Sequence, residues 1–277
     1  MRRLFLLRAY GDFVIAIRAI LNSPQPSDTK IIASNHFKPL FEAINTVLDL
    51  SPLDIEFQDF GINQSLLNLF TYKQFFRLQT IRQISKIRKY LKLNNQNNEI
   101  DYVEQLNRLS ILNLVTSHKF KSIVNNGNVY KSYDTFFNNC FETIKTEQQN
   151  INSVLILPDA RTNIKTIPEN IVDEIVEECK SNNIKVRVAK FNKNESEDDS
   201  NITYKNFAEL IKIINAHDFI IGADSLPIHL SNFFKKPHCI LYYHNIPNAF
   251  CTLFSLENKY FVNFNNFKKE SIPFLKK

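Results

Sequence analysis

Short apolar runs of strand length alternate with amphipathic stretches along the first part of this chain of 277 residues. Residues 4–7, 30–33 and 53–57 have the length and composition of buried strands. Between them, apolar residues suit helices over residues 13–21 and 37–48. Because strands that alternate with helices usually form a parallel sheet covered by helices, this pattern predicts an α/β fold.

The alternation restarts after residues 146–150, which contain no apolar side chain. Further strands are predicted at residues 153–157, 184–189, 218–222 and 239–243, and the last of these closes the predicted set. The middle of the chain, over residues 62–93 and 102–115, is compatible with helices. We therefore predict two α/β domains, one over residues 1–150 and one over residues 151–277.

Several classes of protein are disfavoured by what the sequence lacks. The chain has only four glycines, and neither G-x-G-x-x-G nor G-x-x-x-x-G-K-[ST] occurs, which argues against dinucleotide-binding and P-loop proteins. No two cysteines form a C-x-x-C pair, and the His and Cys residues between 238 and 251 are irregularly spaced, so we expect no metal site. No export signal or membrane-spanning stretch is apparent, which predicts a cytoplasmic protein.

Three loops that follow predicted strands could carry chemistry, because ligands of open α/β sheets bind beyond the carboxyl ends of strands. In the first loop, Gly11 would allow a tight turn and Asp12 precedes or begins a helix. Asp12 is either an ordinary helix cap or a carboxylate that acts as a general base.

The second loop places Arg161 and Lys165 four residues apart, before a helix that Pro168 is predicted to open. Two cations beside a helix N-terminus suit an anionic ligand. The alternative is an ordinary solvated loop.

The third loop begins at Gly222 and leads into a helix that Pro227 is predicted to start. Asp224 or Ser225 could cap that helix, whose N-terminus would present N–H groups and a partial positive charge. His229 lies in the predicted first turn, where it either helps to bind a phosphate or packs in the interior.

Residues 217–243, HDFIIGADSLPIHLSNFFKKPHCILYY, resemble the donor-binding motif of glycosyltransferase family 9, the heptosyltransferase-like enzymes. The family pattern is a strand, Gly-x-Asp-Thr-Gly, two residues, His, a helix, and Lys/Arg-Pro before another strand. Gly222, Asp224 and His229 match this pattern, as does Pro237. Ser225 replaces the Thr and Leu226 replaces the second Gly.

Two further matches occur in the expected order. Lys165 and Pro168 resemble the Lys and Pro of the family's phosphate loop, with Ile167 in place of a Trp. Gly11 and Asp12 resemble the Gly-Asp pair whose Asp is the family's proposed general base.

The resemblance implies a GT-B-like fold, in which two Rossmann-like α/β domains face a cleft. It implies that the first domain binds the acceptor and the second binds a nucleotide-sugar, with no cofactor. The implied reaction is inverting, metal-independent transfer of a sugar such as heptose from a nucleoside-diphosphate donor, for example an ADP-linked one. The acceptor would be a lipopolysaccharide-type or other bacterial surface glycan.

The same resemblance implies roles for the matched residues. Asp12 would take the proton from the acceptor hydroxyl. Arg161, Lys165 and the helix N-terminus at Ser225 and Leu226 would stabilise the departing diphosphate, and Asp224 and His229 would fix the donor.

The net charge of +6 comes mostly from one basic stretch, with no acid between Asp59 and Glu99. Apolar residues interleave its cations, as in a helix that contacts an anionic membrane surface or a phosphorylated glycolipid. A solvated helix face is the alternative. The candidate surface residues are Lys73, Arg77, Arg82, Lys86, Arg88 and Lys89.

Two other functions stay open. One is a non-catalytic nucleotide- or sugar-binding relative of the same fold. The other is a basic nucleic-acid-binding protein, although no nucleic-acid-binding motif occurs and the excess charge is confined to one stretch.

Overall fold

The computed structural model describes residues 2–62, 78–94, 101–104, 109–124, 127–139, 151–191, 201–243, 249–268 and 272. It separates into two compact units, residues 1–140 and 141–277. The boundary that the sequence predicts near residue 150 lies next to a range outside the described residues, and it stays a prediction.

The first unit alternates strands and helices along most of its length. Its strands are β1 (Arg2–Leu6), β2 (Thr29–Ser34), β3 (Asp54–Gln58), β4 (Asp101–Val103) and β5 (Phe120–Ser122). Its α-helices are α1 (Tyr10–Leu21), α2 (Lys38–Asn45), α3 (Leu78–Asn94), α4 (Leu109–Thr116) and α5 (Val129–Phe137).

The five strands form one parallel sheet in the order β3-β2-β1-β4-β5. The central strand β1 pairs with β2 on one side, where Leu4 lies opposite Ile31, and with β4 on the other, where Phe5 lies opposite Val103. All four of these side chains are buried. An unbroken apolar run is what a strand needs when both faces of its sheet are covered.

The second unit repeats the same architecture with a larger sheet. Its strands are β6 (Ser153–Leu157), β7 (Lys185–Phe191), β8 (Asn201–Tyr204), β9 (Phe219–Ala223), β10 (His238–Tyr242) and β11 (Phe261–Asn263). Its α-helices are α6 (Glu169–Ser181), α7 (Phe207–Asn215), α8 (Leu226–Phe233) and α9 (Leu253–Asn258).

These six strands form a parallel sheet in the order β11-β10-β9-β6-β7-β8. The apolar side of α6, with Ile171, Ile175 and Cys179, packs into a core shared with β6, β9 and β10. The two units therefore have separate parallel sheets, and the α/β class predicted from the alternating pattern is confirmed.

Several elements differ from the sequence-based prediction. The expected helix over residues 102–115 is wrong in its first part, because Tyr102 lies in β4; the described helix, α4, spans Leu109–Thr116, and residues 105–108 lie outside the described residues. The predicted set also ended too early, since α9 and β11 follow β10. Pro168 precedes α6 at the N-cap and Pro227 is the second residue of α8, so neither proline is the first helical residue.

Candidate active site

Each sheet has one point at which the chain changes the direction in which it adds strands. In the first sheet, β2 and β3 lie on one side of β1, and β4 and β5 lie on the other. In the second sheet, β7 and β8 lie on one side of β6, and β9, β10 and β11 lie on the other. Ligands of open parallel sheets bind beyond the carboxyl ends of the strands at such a point. The loops after β1, β4, β6 and β9 are therefore the candidate site segments.

In the second unit, the loops after β6 and β9 meet in an ion pair. Lys165 Nζ lies 2.7 Å from Asp224 Oδ2, and His229 Nε2 lies 4.0 Å from Asp224 Oδ1. The Lys165 and Asp224 side chains are 34% and 20% exposed, whereas His229 is buried. Three residues predicted to bind the donor are thus brought together, and two of them are accessible to a ligand.

A second contact ties the same two loops together. Ser225 is the N-cap residue of α8, but its hydroxyl donates a hydrogen bond to the Asp159 carbonyl at 3.1 Å and does not cap the helix. The backbone N–H of Ile167 donates to the Pro158 carbonyl at 2.9 Å, which closes the loop that carries Lys165. Capping by Ser225, one of the predicted alternatives, is therefore wrong.

Gly222 lies in β9, under the first turn of α8. A Cβ at this position would lie 3.0 Å from both Cγ1 and Cδ1 of Ile228 and 3.4 Å from the Leu157 carbonyl oxygen. The missing side chain therefore lets α8, which begins at Leu226, pack closely against the sheet. Arg161 lies exposed on the loop after β6, and no hydrogen bond or ion pair joins it to Lys165, Asp224 or His229.

In the first unit, Asp12 is the third residue of α1, and the N-cap residue is Ala9. Asp12 therefore lies in the first turn and is not the N-cap residue, so the interpretation as an ordinary helix cap is wrong. Its Oδ2 lies 3.7 Å from Arg8 Nε, and both side chains are buried. Gly11 lies inside the helix, so the tight turn predicted there is absent.

Glu104, which the sequence analysis did not single out, lies directly after β4 and contacts the segment between β1 and α1. Its Oε1 accepts hydrogen bonds from the backbone N–H groups of Leu7 and Arg8, each at 2.7 Å. Burial and the nearby Asp12 carboxylate raise the pKa of Glu104 to about 7, against the opposing effects of Arg8 and the two N–H groups. The strand before it, Asp101–Val103, is too short to show a strand period, so no local sequence signal singled out Glu104.

The predicted basic surface is only partly described. Lys73 and Arg77 lie outside the described residues, whereas Arg82, Lys86, Arg88 and Lys89 are exposed along α3. Among them, Lys86 pairs with Asp59 at 2.6 Å, which removes part of the local excess charge.

The apolar residues of α3 divide between two faces. Ile87 and Leu91 are buried in the core of the first unit. Leu78 and Ile81 are 73% and 54% exposed, on the side of the helix that carries the cations. This face therefore offers solvent both positive charge and apolar surface.

Metal-ligating side chains do not cluster in the part of the chain that the structure describes: no group of three His, Cys, Asp or Glu residues there could hold an ion. The expectation of metal-independent chemistry stays a prediction. None of the described helices is both long and apolar enough to cross a membrane.

Solved structures with the same fold exist, although the sequence itself finds no relatives. A scan against protein-family models gives no match, and a search of curated proteins gives none. Escherichia coli heptosyltransferase WaaC with ADP-2-deoxy-2-fluoro heptose has a TM-score of 0.57 at 12% identity, covering 95% of this chain and 92% of that one.

Two other structures give similar scores. E. coli ADP-heptose LPS heptosyltransferase II has a TM-score of 0.56 at 11% identity, over 95% of this chain and 90% of that one. The family 9 glycosyltransferase of Veillonella parvula has a TM-score of 0.56 at 12% identity, over 98% of this chain and 92% of that one. The chain thus has the GT-B-type fold of the glycosyltransferase family 9 heptosyltransferases, as the resemblance in the sequence implied.

Proposed function

We propose that this protein is a glycosyltransferase that moves a sugar of the heptose class from an ADP-linked donor to an anionic glycolipid acceptor. The observation that carries the proposal is the Asp224 carboxylate held by Lys165 and near His229, at the switch point of a sheet whose fold matches heptosyltransferases. The class of donor is taken from the WaaC structure, which contains an ADP-linked fluoro-heptose.

The donor site would hold the diphosphate by positive charge. Lys165 supplies an ammonium group that is one-third exposed, and the N-terminus of α8 supplies a partial positive charge next to it. Arg161 lies on the same loop and would add a second cation. Asp224 keeps Lys165 in place before the nucleotide-sugar binds. The Asp224 carboxylate would accept hydrogen bonds from the nucleotide-sugar, and the His229 ring would donate or accept one.

In the proposed reaction, Asp12 takes the proton of the acceptor hydroxyl as general base. The acceptor oxygen then attacks the anomeric carbon from the side opposite the diphosphate. The bond between that carbon and the diphosphate oxygen breaks, and the electron pair leaves with the nucleoside diphosphate. The configuration at the anomeric carbon is inverted, and the charge that develops on the diphosphate is stabilised by Lys165.

The acceptor would be reached at an anionic surface. Exposed Arg82, Arg88 and Lys89 lie beside exposed Leu78 and Ile81 on α3. Cations attract phosphate groups, and apolar side chains insert at the boundary between headgroups and acyl chains. This combination supports peripheral contact of a cytoplasmic enzyme with a membrane that holds a phosphorylated glycolipid.

Nucleotide titration tests the donor site. We expect ADP to bind the wild-type protein and Lys165→Met to weaken that binding by at least tenfold, because one charged contact to a diphosphate is lost. Lys180→Met, an exposed lysine on α6, is the matched control and should leave binding unchanged. A protein that binds none of ADP, UDP, GDP and CMP would contradict the proposal.

Transfer assays with lipid-linked acceptors test the base. Asp12→Asn should lower kcat by about 10²–10⁴-fold, the usual contribution of a general base, while ADP binding stays unchanged. Asp49→Asn, at an exposed carboxylate of the same unit, is the control. Full activity of Asp12→Asn would refute the base assignment, and nucleotide binding without transfer by the wild-type protein would support a non-catalytic relative.

A further inference from the structure

Glu104 connects two neighbouring strands at the switch point of the first sheet. It follows β4, and its Oε1 accepts two hydrogen bonds from the backbone that follows β1, at Leu7 and Arg8. That backbone leads directly into the first turn of α1, where Asp12 lies. One carboxylate oxygen therefore fixes the starting point of the segment that carries the proposed base.

The second oxygen of Glu104 has a different environment. Glu104 is 1% exposed, and its Oε2 has no hydrogen-bond partner among the described residues. The fully buried hydroxyl of Tyr133, on α5, likewise has no partner among them. A buried carboxylate with one unsatisfied oxygen costs free energy unless that oxygen binds a proton or a polar group.

Charges near Glu104 come from two side chains of the loop and helix that follow β1, Arg8 and Asp12, while α5 contributes the neutral Tyr133. If Glu104 and Asp12 are both ionised, the buried cluster with Arg8 has a net charge of −1. If Glu104 holds a proton, the net charge is zero. The raised pKa of Glu104, about 7, means that this cluster changes charge near neutral pH.

We propose that Glu104 is a positioning residue for Asp12: it anchors residues 7–12 through two backbone hydrogen bonds, and its proton occupancy sets the net charge around Asp12. This inference rests on the proposed function of Asp12. An ionised Glu104 favours the step in which Asp12 accepts a proton from the acceptor hydroxyl, because two neighbouring carboxylates repel each other. A protonated Glu104 removes that repulsion and slows the step.

The test compares two buried carboxylates of the same short strand segment. Glu104→Gln keeps the size of the side chain and removes its charge. Asp101→Asn does the same at the other end of β4, where Asp101 Oδ1 lies 2.6 Å from Arg3 Nε. Both variants remove the charge of a buried carboxylate, but only Glu104 accepts hydrogen bonds from the backbone that leads into α1, at Leu7 and Arg8.

The readout is kcat/KM for sugar transfer between pH 6 and pH 8, with ADP affinity measured in parallel. For the wild-type protein we expect about a fivefold fall from pH 8 to pH 6, because a group with a pKa near 7 is mostly ionised at the upper value and mostly protonated, in its slower form, at the lower. Glu104→Gln should lower kcat at pH 8 by about tenfold, abolish that pH dependence and leave ADP affinity within twofold. Asp101→Asn should keep the pH dependence of the wild-type protein.

Two results would overturn the proposal: a folded Glu104→Gln with the wild-type pH profile, or an equal change of profile in Asp101→Asn. If Glu104→Gln does not fold, the wild-type profile decides alone, and a rate that does not change between pH 6 and pH 8 refutes the proposal. The variant Asp12→Asn tests the base assignment separately, so a failure of the proposed role of Glu104 can be told apart from a failure of the proposed function. Full activity of that variant refutes Asp12 as the base, whatever Glu104 does.

Discussion

At the scale of single residues, the position of Gly222 is set by space and not by backbone conformation. The glycines with positive φ among the described residues are Gly61 and Gly127, whereas Gly222 lies in a regular strand. What excludes a larger residue is Ile228, whose side chain would lie 3.0 Å from an added Cβ. The close packing of α8, the helix that carries His229, therefore depends on the lack of a side chain at Gly222.

We expect Gly222→Ala to lower the free energy of unfolding by about 1–3 kcal/mol, the usual cost of overpacking a core. The same change should weaken ADP binding, because it displaces Ile228, which lies in the first turn of α8. Urea unfolding and calorimetric titration would measure the two effects.

A double-mutant cycle provides the control. Ile228→Ala removes the two atoms that the new Cβ would approach to 3.0 Å, so the double variant should lose less stability than the sum of the two single variants. Additive losses would show that contact with Ile228 is not the cause.

At the scale of elements, strand ends predicted much of the candidate site, but short strands were hard to recognise. The apolar runs at β1, β6 and β9 are long enough to identify. Lys165 and Asp224 lie in the loops after β6 and β9, and Asp12 lies in the first turn of the helix that follows β1. β4 has only three residues and shows no period of its own. It is held by non-local contacts, above all the pair of Arg3 with Asp101 across 98 residues of chain.

Glu104 could not be assigned from the sequence for the same reason. Its partners, the N–H groups of Leu7 and Arg8, are backbone atoms almost a hundred residues earlier. Local pattern reports which residues form a strand but not which strand lies beside it. The residues that depend on strand order are therefore the ones that the sequence analysis missed.

The exposed face of α3 leads to a prediction for the whole element. We expect Arg82→Glu with Lys89→Glu to weaken binding to vesicles that contain anionic phospholipid by about 30-fold or more, since each basic residue near such a surface contributes about 1 kcal/mol. Both residues are exposed on α3. Co-sedimentation at physiological ionic strength would measure the change.

The matched control reverses two exposed lysines of the second unit, Lys180→Glu with Lys212→Glu. It alters the net charge of the protein by the same amount but should leave vesicle binding nearly unchanged. Equal loss in both variants would show that net charge matters and α3 does not. Salt-dependent binding of RNA or DNA in place of vesicles would favour the nucleic-acid-binding alternative.

At the scale of the whole molecule, titratable groups whose pKa is shifted by burial make opposing contributions to the way the free energy of unfolding depends on pH. Burial lowers the pKa of His36 in the first unit and of His238 in the second to about 4. Because unfolded histidines bind protons near pH 6.5, the stability that these two contribute is lost as pH falls from about 6.5 towards 4. Glu104 has the opposite sign, since its native pKa of about 7 is raised, and its contribution is lost as pH rises through 7.

We therefore expect Glu104→Gln to make the protein more sensitive to acid. In the wild-type protein, proton uptake by native Glu104 offsets part of the loss caused by His36 and His238. Urea unfolding at pH 5 and pH 8 would measure this, and the free energy of unfolding of the variant should fall more steeply towards pH 5 than that of the wild-type protein. Equal slopes would contradict the assigned titration of Glu104.

The hydrogen bonds from Leu7 and Arg8 to Glu104 also bear on the order in which the chain folds during synthesis. β1 is made before the other strands of its sheet and is the central one, yet the neighbour that fixes its carboxyl end is made almost a hundred residues later. Parallel pairing between such distant segments is slow, because a long loop must close before the contacts form. The segment that joins β1 to α1 therefore takes its final shape only after β4 has been synthesised, so a nascent chain would position its proposed base, Asp12, late.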